Sequence, residues 1–450
     1  MKQTKTNTKV VPRYGIIGAG PSGLAISLML DSPSIIVERG RTSGGFAGSF
    51  FDNGYTFDYG PHIMFSKNKK VLDFMVKSLG NNVNTLKRNN KISFKHTLMR
   101  YPFENDLSAL PLEDNYDCLH GYLFNPYKTK YASPKNLEQW LLKTFGKGIC
   151  EKYLFPYNRK VWNIPVNQLS MLWAERIPNP PADDIIKSSI GYQTEGYVHQ
   201  LFYNYPKRGG YKAISTAWEK KTKSPIEFEY NVNKIERLPD GKWSMTNGVT
   251  PIVVDELIST MPIHELVKIL KIPIPKKVLT AVKKLIVNPM YVISLGVKGT
   301  DNEKVTATYF PEDDFLVNRI SYPATFSPQN APKGHFSIQA EITCKKNSDS
   351  WRMTDRAILA HTINGLAKRG LVDKTKIAYT NVKRADYAYV VYDQQYEKNV
   401  AIIREWFPKQ GIHLLGRFSY FEYINVDGVV ATAQMIAEKI TGKKIVLDKL

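Results

Sequence analysis

The chain has 450 residues, 62 of them Lys or Arg and 41 Asp or Glu, for a formal net charge of +21 at pH 7. With 43% hydrophobic and 23% charged residues, the composition is globular and the length sufficient for two or three domains, which excludes a disordered, collagen-like or disulfide-stapled chain. Three cysteines, Cys118, Cys150 and Cys344, with no CxxC pair, point to buried thiols in a reducing compartment and away from a structural zinc site.

No apolar run approaches the roughly 20 residues that cross a bilayer. Met1 to Lys9 is polar and lacks the apolar stretch of a leader, so a cytoplasmic location is expected. The positive excess suits phosphorylated or polyanionic partners. The lysines are scattered, in pairs such as Lys69-Lys70 and Lys220-Lys221, and form no stripe of the kind that tracks nucleic acid, which is not an expected partner.

The first organised segment is the apolar run Tyr14-Gly15-Ile16-Ile17, followed by Gly18-Ala19-Gly20-Pro21-Ser22-Gly23 and the helix-forming Leu24 to Leu30. A second short strand, Ile35-Ile36-Val37, ends at Glu38. Strand, glycine turn, helix and a carboxylate about 20 residues on form the dinucleotide fingerprint: glycines let backbone approach a pyrophosphate, and the carboxylate accepts ribose hydroxyls. After Glu38 the loop runs through Arg39 to a second glycine pair, Gly44-Gly45, a pattern similar to that of FAD-binding, amine-oxidase-like flavoproteins.

Residues 67–200 change character, with helical stretches at Leu72 to Leu79 and Asn136 to Phe145 separated by prolines. From Pro206 strands return: Asn231 to Glu236, a hairpin turn at Asp240-Gly241, and Glu256 to Thr260. Residues 288 to 345 alternate apolar and polar, as in Tyr291-Val292-Ile293-Ser294-Leu295, and predict an antiparallel sheet. The chain closes with a strand at Ile412 to Leu415, a turn at Gly416-Arg417-Phe418, and a helix from Asp427-Gly428. The fold class is therefore α/β. A Rossmann-like FAD-binding domain is expected from residues 10–66, 201–262 and 396–450, with a helical insertion over 67–200 and an antiparallel-sheet substrate domain over 263–395.

The eight histidines show no HxxxH or HExxH spacing and no GxSxG elbow is present, so no metal is expected and the chemistry is assigned to a cofactor. Further segments resemble, in order and over nearly the whole chain, those of the UDP-galactopyranose mutases. They are Tyr59-Gly60-Pro61-His62-Ile63, Tyr101-Pro102-Phe103-Glu104-Asn105, Pro156 to Trp162, Trp173-Ala174-Glu175-Arg176, Phe310 to Asp313 with Asn318-Arg319-Ile320, and Gly416 to Phe418 with Asn425 to Asp427.

This resemblance implies that FAD, active in its reduced form, is held by Gly18, Gly20, Pro21, Ser22, Gly23, Glu38, Arg39, Gly44, Gly45, Phe46, His62, Val232, Arg417 and Asp427. It implies a UDP-galactose substrate held by Tyr101, Glu104, Tyr153, Asn158, Trp162, Gln200, Tyr309, Tyr389 and Tyr423. Arg176, on a mobile flap, and Arg319 would clamp the diphosphate and, with His62, serve catalysis. The implied reaction interconverts UDP-galactopyranose and UDP-galactofuranose, the flavin N5 attacking the anomeric carbon without net redox change, and feeds cell-surface polysaccharide synthesis. A homo-oligomer is compatible with the resemblance. Glu104 in place of a neutral amide, Gln200 in place of an asparagine and Gly428 after Asp427 depart from the pattern and leave sugar and base specificity open. The alternatives are a flavin oxidoreductase of the amine oxidase or protoporphyrinogen oxidase type, working by hydride transfer, and a non-catalytic nucleotide-sugar or FAD-binding regulator.

Overall fold

The structure, a computed structural model, describes residues 12–194, 201–300 and 304–450. At its centre the strand Tyr14–Ile17, buried at every position, pairs in parallel with Ser34–Val37 on one side and Glu256–Ser259 on the other. Ile226–Glu227 and Ile412–Leu414 complete the two edges, also in parallel. Three distant chain segments thus meet in one five-stranded sheet. Alternate residues feed two different cores: Ile16, Ile36 and Ile258 belong to one cluster, and Ile17, Val37 and Leu257 to another. Burial on both faces explains why these strands read as continuous apolar runs. The helices Pro21–Ser27 and Val426–Thr441 pack together on the first face through Leu24, Ala25, Val430 and Ala433.

A second sheet of seven strands is ordered Ile377–Val391, Ile286–Lys298, His335–Thr343, Arg319–Ser321, Ala307–Tyr309, Asn90–Phe94, Thr97–Arg100. Its long strands pair antiparallel, as their alternation predicts. The hairpin Asn90–Arg100 departs from the helical reading of 67–200. It turns through Lys95 and His96, both at positive φ (49° and 65°), the backbone of a two-residue hairpin turn usually signalled by Asn-Gly or Asp-Gly. With neither pair present, the turn has no sequence marker.

Apart from the strand Asn84–Lys87, which pairs antiparallel with Phe202–Tyr205, the described rest of that segment is mainly helical. Lys69–Leu79 is capped by the Asn68 side chain, which accepts from the Lys70 and Val71 N–H groups, and Leu137–Ile149 by Asn136, which accepts from Gln139 at 3.0 Å. A four-stranded sheet, Pro251–Val254, Trp243–Thr246, Lys234–Arg237 and Leu270–Lys271, carries the expected turn at Asp240-Gly241. All three cysteines are free and buried. Among the described residues no helix is long and apolar enough to cross a membrane.

Candidate active site

The glycine loop after Tyr14–Ile17 is shaped by steric exclusion. Gly18 sits at φ 105°, and a Cβ there would lie 2.2 Å from the Thr260 hydroxyl; one on Gly23 would lie 1.9 Å from the Gly18 carbonyl oxygen. These glycines let strand and helix close together. Gly20 differs: the nearest atom to its missing Cβ is the Gly45 Cα at 3.8 Å. The two glycine loops lie in van der Waals contact, a Cβ on Gly45 coming within 3.3 Å of the Gly20 Cα, so that together they present a bare backbone surface suited to a cofactor's pyrophosphate. Pro21 and Ser22 open the helix, whose Gly20 cap supplies no side-chain hydrogen bond, and Gly44 N–H is tied to the Ala19 carbonyl at 2.9 Å.

Glu38, at the end of Ser34–Val37, accepts from Ala19 N–H and Gly40 N–H, both at 2.8 Å. Each oxygen keeps lone pairs for a ribose. Arg39 is exposed. Val232 is buried beside this segment, two residues after Tyr230, whose N–H bonds the Glu38 carbonyl at 2.9 Å.

A cavity of about 750 Å³ lies beyond the loops. Its lining brings together Phe46, His62, Tyr101, Glu104, Tyr153, Asn158, Trp162, Arg176, Tyr309, Arg319, Tyr389, Arg417, Tyr423 and Asp427. Residues separated by some 380 positions in the chain thus share one surface. Gln200 lies outside the described residues.

One end is cationic. Arg319 donates to Tyr389 OH at 3.3 Å, Tyr389 and Tyr423 rings lie 5.7 Å apart, and Arg176 and Arg417 sit over the Tyr423 ring at 5.1 and 4.6 Å. Arg176 is exposed on the short turn Met171–Arg176 and donates to the Tyr423 carbonyl. Arg417 is held by the Ile424 carbonyl at 2.7 Å. Guanidinium groups held in place by ring faces, carbonyls and a carboxylate make a positioned cationic surface that suits a diphosphate. The start of the helix Val426–Thr441 reaches the same cavity at Val426, Asp427 and Gly428, and its Asn425 cap makes no side-chain cap bond, an arrangement that suits an anionic or electron-rich group at this helix end.

Glu341 is the residue sequence reasoning missed. Only 1% exposed, it takes hydrogen bonds from Arg319 at 2.7 and 2.9 Å and from Tyr389 OH at 3.1 Å. A Cβ on Gly60 would come within 3.1 Å of its Oε1, so it sits directly beneath the His62 loop. A signal existed: on His335–Thr343 the polar residues Ser337, Gln339, Glu341 and Thr343 alternate with apolar ones, yet both faces are buried. Alternation normally marks a solvent face, which hid this one.

His62 bonds the Gly60 carbonyl through Nδ1 at 2.8 Å. Burial, reinforced by Arg417 and Arg319, pushes its pKa down to about 3. It is therefore a neutral imidazole that donates from Nδ1 and presents Nε2 as an acceptor. Its ring packs 5.3 Å from Tyr211 and 5.9 Å from Phe46.

Asp58 supports this wall from below, accepting from Ser49 Oγ at 2.5 Å, Tyr205 OH at 2.8 Å and the Tyr211 N–H at 2.9 Å. Complete burial still raises its pKa from 3.8 to about 6. The fold favours its protonated form, so this stabilisation is full below pH 3.8 and is lost as pH rises through about 6. Asp58→Asn is expected to gain on the parent chain by about 3 kcal/mol between about pH 4 and about pH 7. Urea unfolding across that range measures the difference; a constant gap would show that Asp58 does not titrate there.

The remaining predicted residues form walls. Asn158 spends its amide on the Leu154 carbonyl (2.7 Å) and the Trp162 indole N–H (3.0 Å), leaving one N–H for a ligand. Trp162 stacks on Trp173 at 3.8 Å. Tyr101 and Tyr309 rings lie 5.1 Å apart.

Comparison with known proteins agrees with this geometry. The chain is similar to the solved structure of reduced UDP-galactopyranose mutase, with TM-score 0.88 and 24% identity over 97% of this chain and 96% of that one. It is also similar to a protein assigned as a protoporphyrinogen oxidase from Exiguobacterium sp. (TM-score 0.75, 18% identity, 95% and 98% covered) and to a redesigned putrescine oxidase (0.68, 14%, 96% and 99%). At these identities the likeness establishes a common fold. The family of flavin containing amine oxidoreductases matches residues 22–441, which takes in the whole cavity lining and every strand of the parallel sheet after Tyr14–Ile17, and the chain belongs to that family.

Proposed function

We propose that this protein interconverts the pyranose and furanose forms of UDP-galactose or a closely related nucleotide sugar. The observation that carries this reading is the gathering of Arg176, Arg319, Tyr389 and Tyr423 at one end of a cavity whose other end is a wall of tyrosines. A diphosphate suits the first and a nucleobase the second. A reduced FAD bound between the glycine loops and the helix Val426–Thr441 supplies a nucleophilic nitrogen with no net electron transfer. Arg176 and Arg319 neutralise the diphosphate as it leaves and hold it close for return. Tyr389 and Tyr423 set its orientation, while the aromatic walls exclude water from the detached sugar. Neutral His62 accepts a hydrogen bond without adding a fourth positive charge. The product would feed cell-surface glycan synthesis from the cytoplasm.

Hydride transfer is the second reading, favoured by the oxidases among the structural relatives. Three guanidinium groups around one end of the cavity repel an amine cation and speak against an amine substrate. Anaerobic incubation with UDP-galactofuranose, with and without dithionite, separates the two. UDP-galactopyranose is expected only with the reduced protein. Flavin-bound protein that isomerises under neither condition, or that consumes oxygen with an organic reductant as substrate, would sink the proposal.

A further inference from the structure

A basic helix lies outside the cavity lining. Between Glu265 and Asp301 the sequence carries seven lysines and no Asp, Glu or Arg. Four of them, Lys276, Lys277, Lys283 and Lys284, stand on the helix Lys276–Lys284, and Lys268 and Lys271 shortly precede it. The helix buries Val278, Ala281 and Val282, in the same core cluster as Leu266 and Val400 from the helices Ile263–Ile269 and Tyr396–Lys409. At 3.6 residues per turn its other residues share one continuous outer side. That side consists of the four lysines, Thr280 and Leu279, the last 43% exposed.

Glu265 and Glu405, on the flanking helices, are already paired. Glu265 takes Lys268 at 2.8 Å and feels the charge of Lys346 as well. Glu405, which feels Lys277, is held by Lys409 at 2.6 Å. Among the described residues, no carboxylate forms an ion pair with Lys271, Lys276, Lys277, Lys283 or Lys284. The lysines also weaken the helix that carries them. Lys276 and Lys277 occupy its first turn, where no acidic residue stands and the partial positive charge of the free N–H groups repels a cation. Local stability does not account for this placement; an anionic surface outside the molecule does.

We propose that this face docks on an anionic phospholipid bilayer, the lysines lying over the headgroups and Leu279 entering the edge of the acyl layer. A basic cluster of this kind on an amphipathic helix is drawn to the negative surface potential of a leaflet rich in anionic lipid. Lysine suits such a diffuse layer, being a point charge on a long flexible stem. Nucleic acid fits less well, because the stretch has no Arg to fork onto a base edge and the outer side of the helix no ring to stack on one. Attachment of this kind is peripheral and reversible. The surface is separate from the cavity and does not depend on the reaction performed there.

The test is flotation of the flavin-bound protein with vesicles of phosphatidylcholine, alone or mixed with phosphatidylserine, beside binding to a mixed-sequence DNA duplex. The parent chain is expected to bind the mixed vesicles and not the neutral ones, about tenfold or more weaker at about 300 mM than at about 50 mM salt. Lys276→Glu, Lys277→Glu, Lys283→Gln and Lys284→Gln combined are expected to weaken binding about a hundredfold or more. That variant should fold at least as well as the parent, since acids in the first turn complement the helix end. Lys220→Glu, Lys223→Glu, Lys444→Gln and Lys449→Gln remove the same net charge from exposed sites elsewhere and are expected to leave binding within about fivefold of the parent. An environment-sensitive dye on Leu279→Cys, the three native thiols being buried, is expected to shift to shorter wavelength on the mixed vesicles. A parent that ignores the mixed vesicles at low salt, a control variant that loses as much binding as the helix variant, or a dye that does not shift on bound protein each overturns the proposal. Preference for the duplex over the vesicles overturns it in favour of nucleic acid. The dye and the salt dependence decide the question even if the helix variant fails to fold.

Discussion

Replacing Arg319 with alanine is expected to lower isomerase turnover by about a hundredfold or more and, separately, to destabilise the fold. The two effects have different origins. On the proposed function, turnover falls because a charge-assisted contact to the departing diphosphate is lost. Stability falls because Glu341, 1% exposed and held by Arg319 at 2.7 Å, becomes a buried charge with only Tyr389 OH beside it, a situation that costs about 3–5 kcal/mol. The double variant Arg319→Ala with Glu341→Gln separates them. It is expected to recover most of the thermal stability, since no charge is left unpaired, and none of the turnover. Thermal unfolding of the flavin-bound protein and anaerobic turnover are the two readouts. Recovery of turnover in the double variant would reduce Arg319 to a structural partner of Glu341. Arg319→Lys should fall between, because an ammonium keeps the charge and loses the fork.

The second large effect lies in the glycine loop, where two glycines three residues apart should fail in different ways. Gly23→Ala places a Cβ 1.9 Å from the Gly18 carbonyl oxygen. The helix Pro21–Ser27 must then lift from the sheet, and a loss of about 1–3 kcal/mol or more is expected, with flavin lost as a consequence. Gly20→Val meets no protein atom nearer its Cβ than the Gly45 Cα at 3.8 Å, an ordinary contact, so the fold should hold while the branches cover the turn that a pyrophosphate would approach. Flavin content from absorbance, and unfolding of the flavin-free proteins, distinguish the cases. The comparison must be made without flavin because a bound ligand itself stabilises the chain. Gly20→Val is expected to match the parent in stability and carry no flavin; full flavin occupancy would mean that the cofactor does not approach this turn.

Much of this was legible in the residues. Tyr14 to Ile17, the glycine turn and Glu38 form a motif in which every requirement is local: φ above zero at Gly18, contact of helix and strand at Gly23, and a carboxylate one strand away. The C-terminal strand and helix were legible for the same reason, as a short apolar run and a helical apolar period. The hairpin Asn90–Arg100 was not, because its turn residues Lys95 and His96 reach positive φ without glycine or asparagine. Glu104 stood out as a departure from a resemblance, but nothing in the chain around it announced that it would be buried, 2% exposed, in the cavity wall.

The sequence by itself determined the cofactor class and four strands of the parallel sheet, since these depend on contacts within a few residues and on continuous apolar runs; the two-residue edge strand Ile226–Glu227 has no such run. Tertiary structure alone decided the states of the groups in the cavity. That Arg319 is paired with Glu341, that His62 is neutral beside Arg417 and Arg319, and that Asn158 has spent most of its amide on its own helix are consequences of burial and of neighbours from distant segments. A charge's partner and its dielectric surroundings are properties of the packed molecule, and in a linear chain Glu341 and Arg319, 22 residues apart, look like two ordinary surface charges.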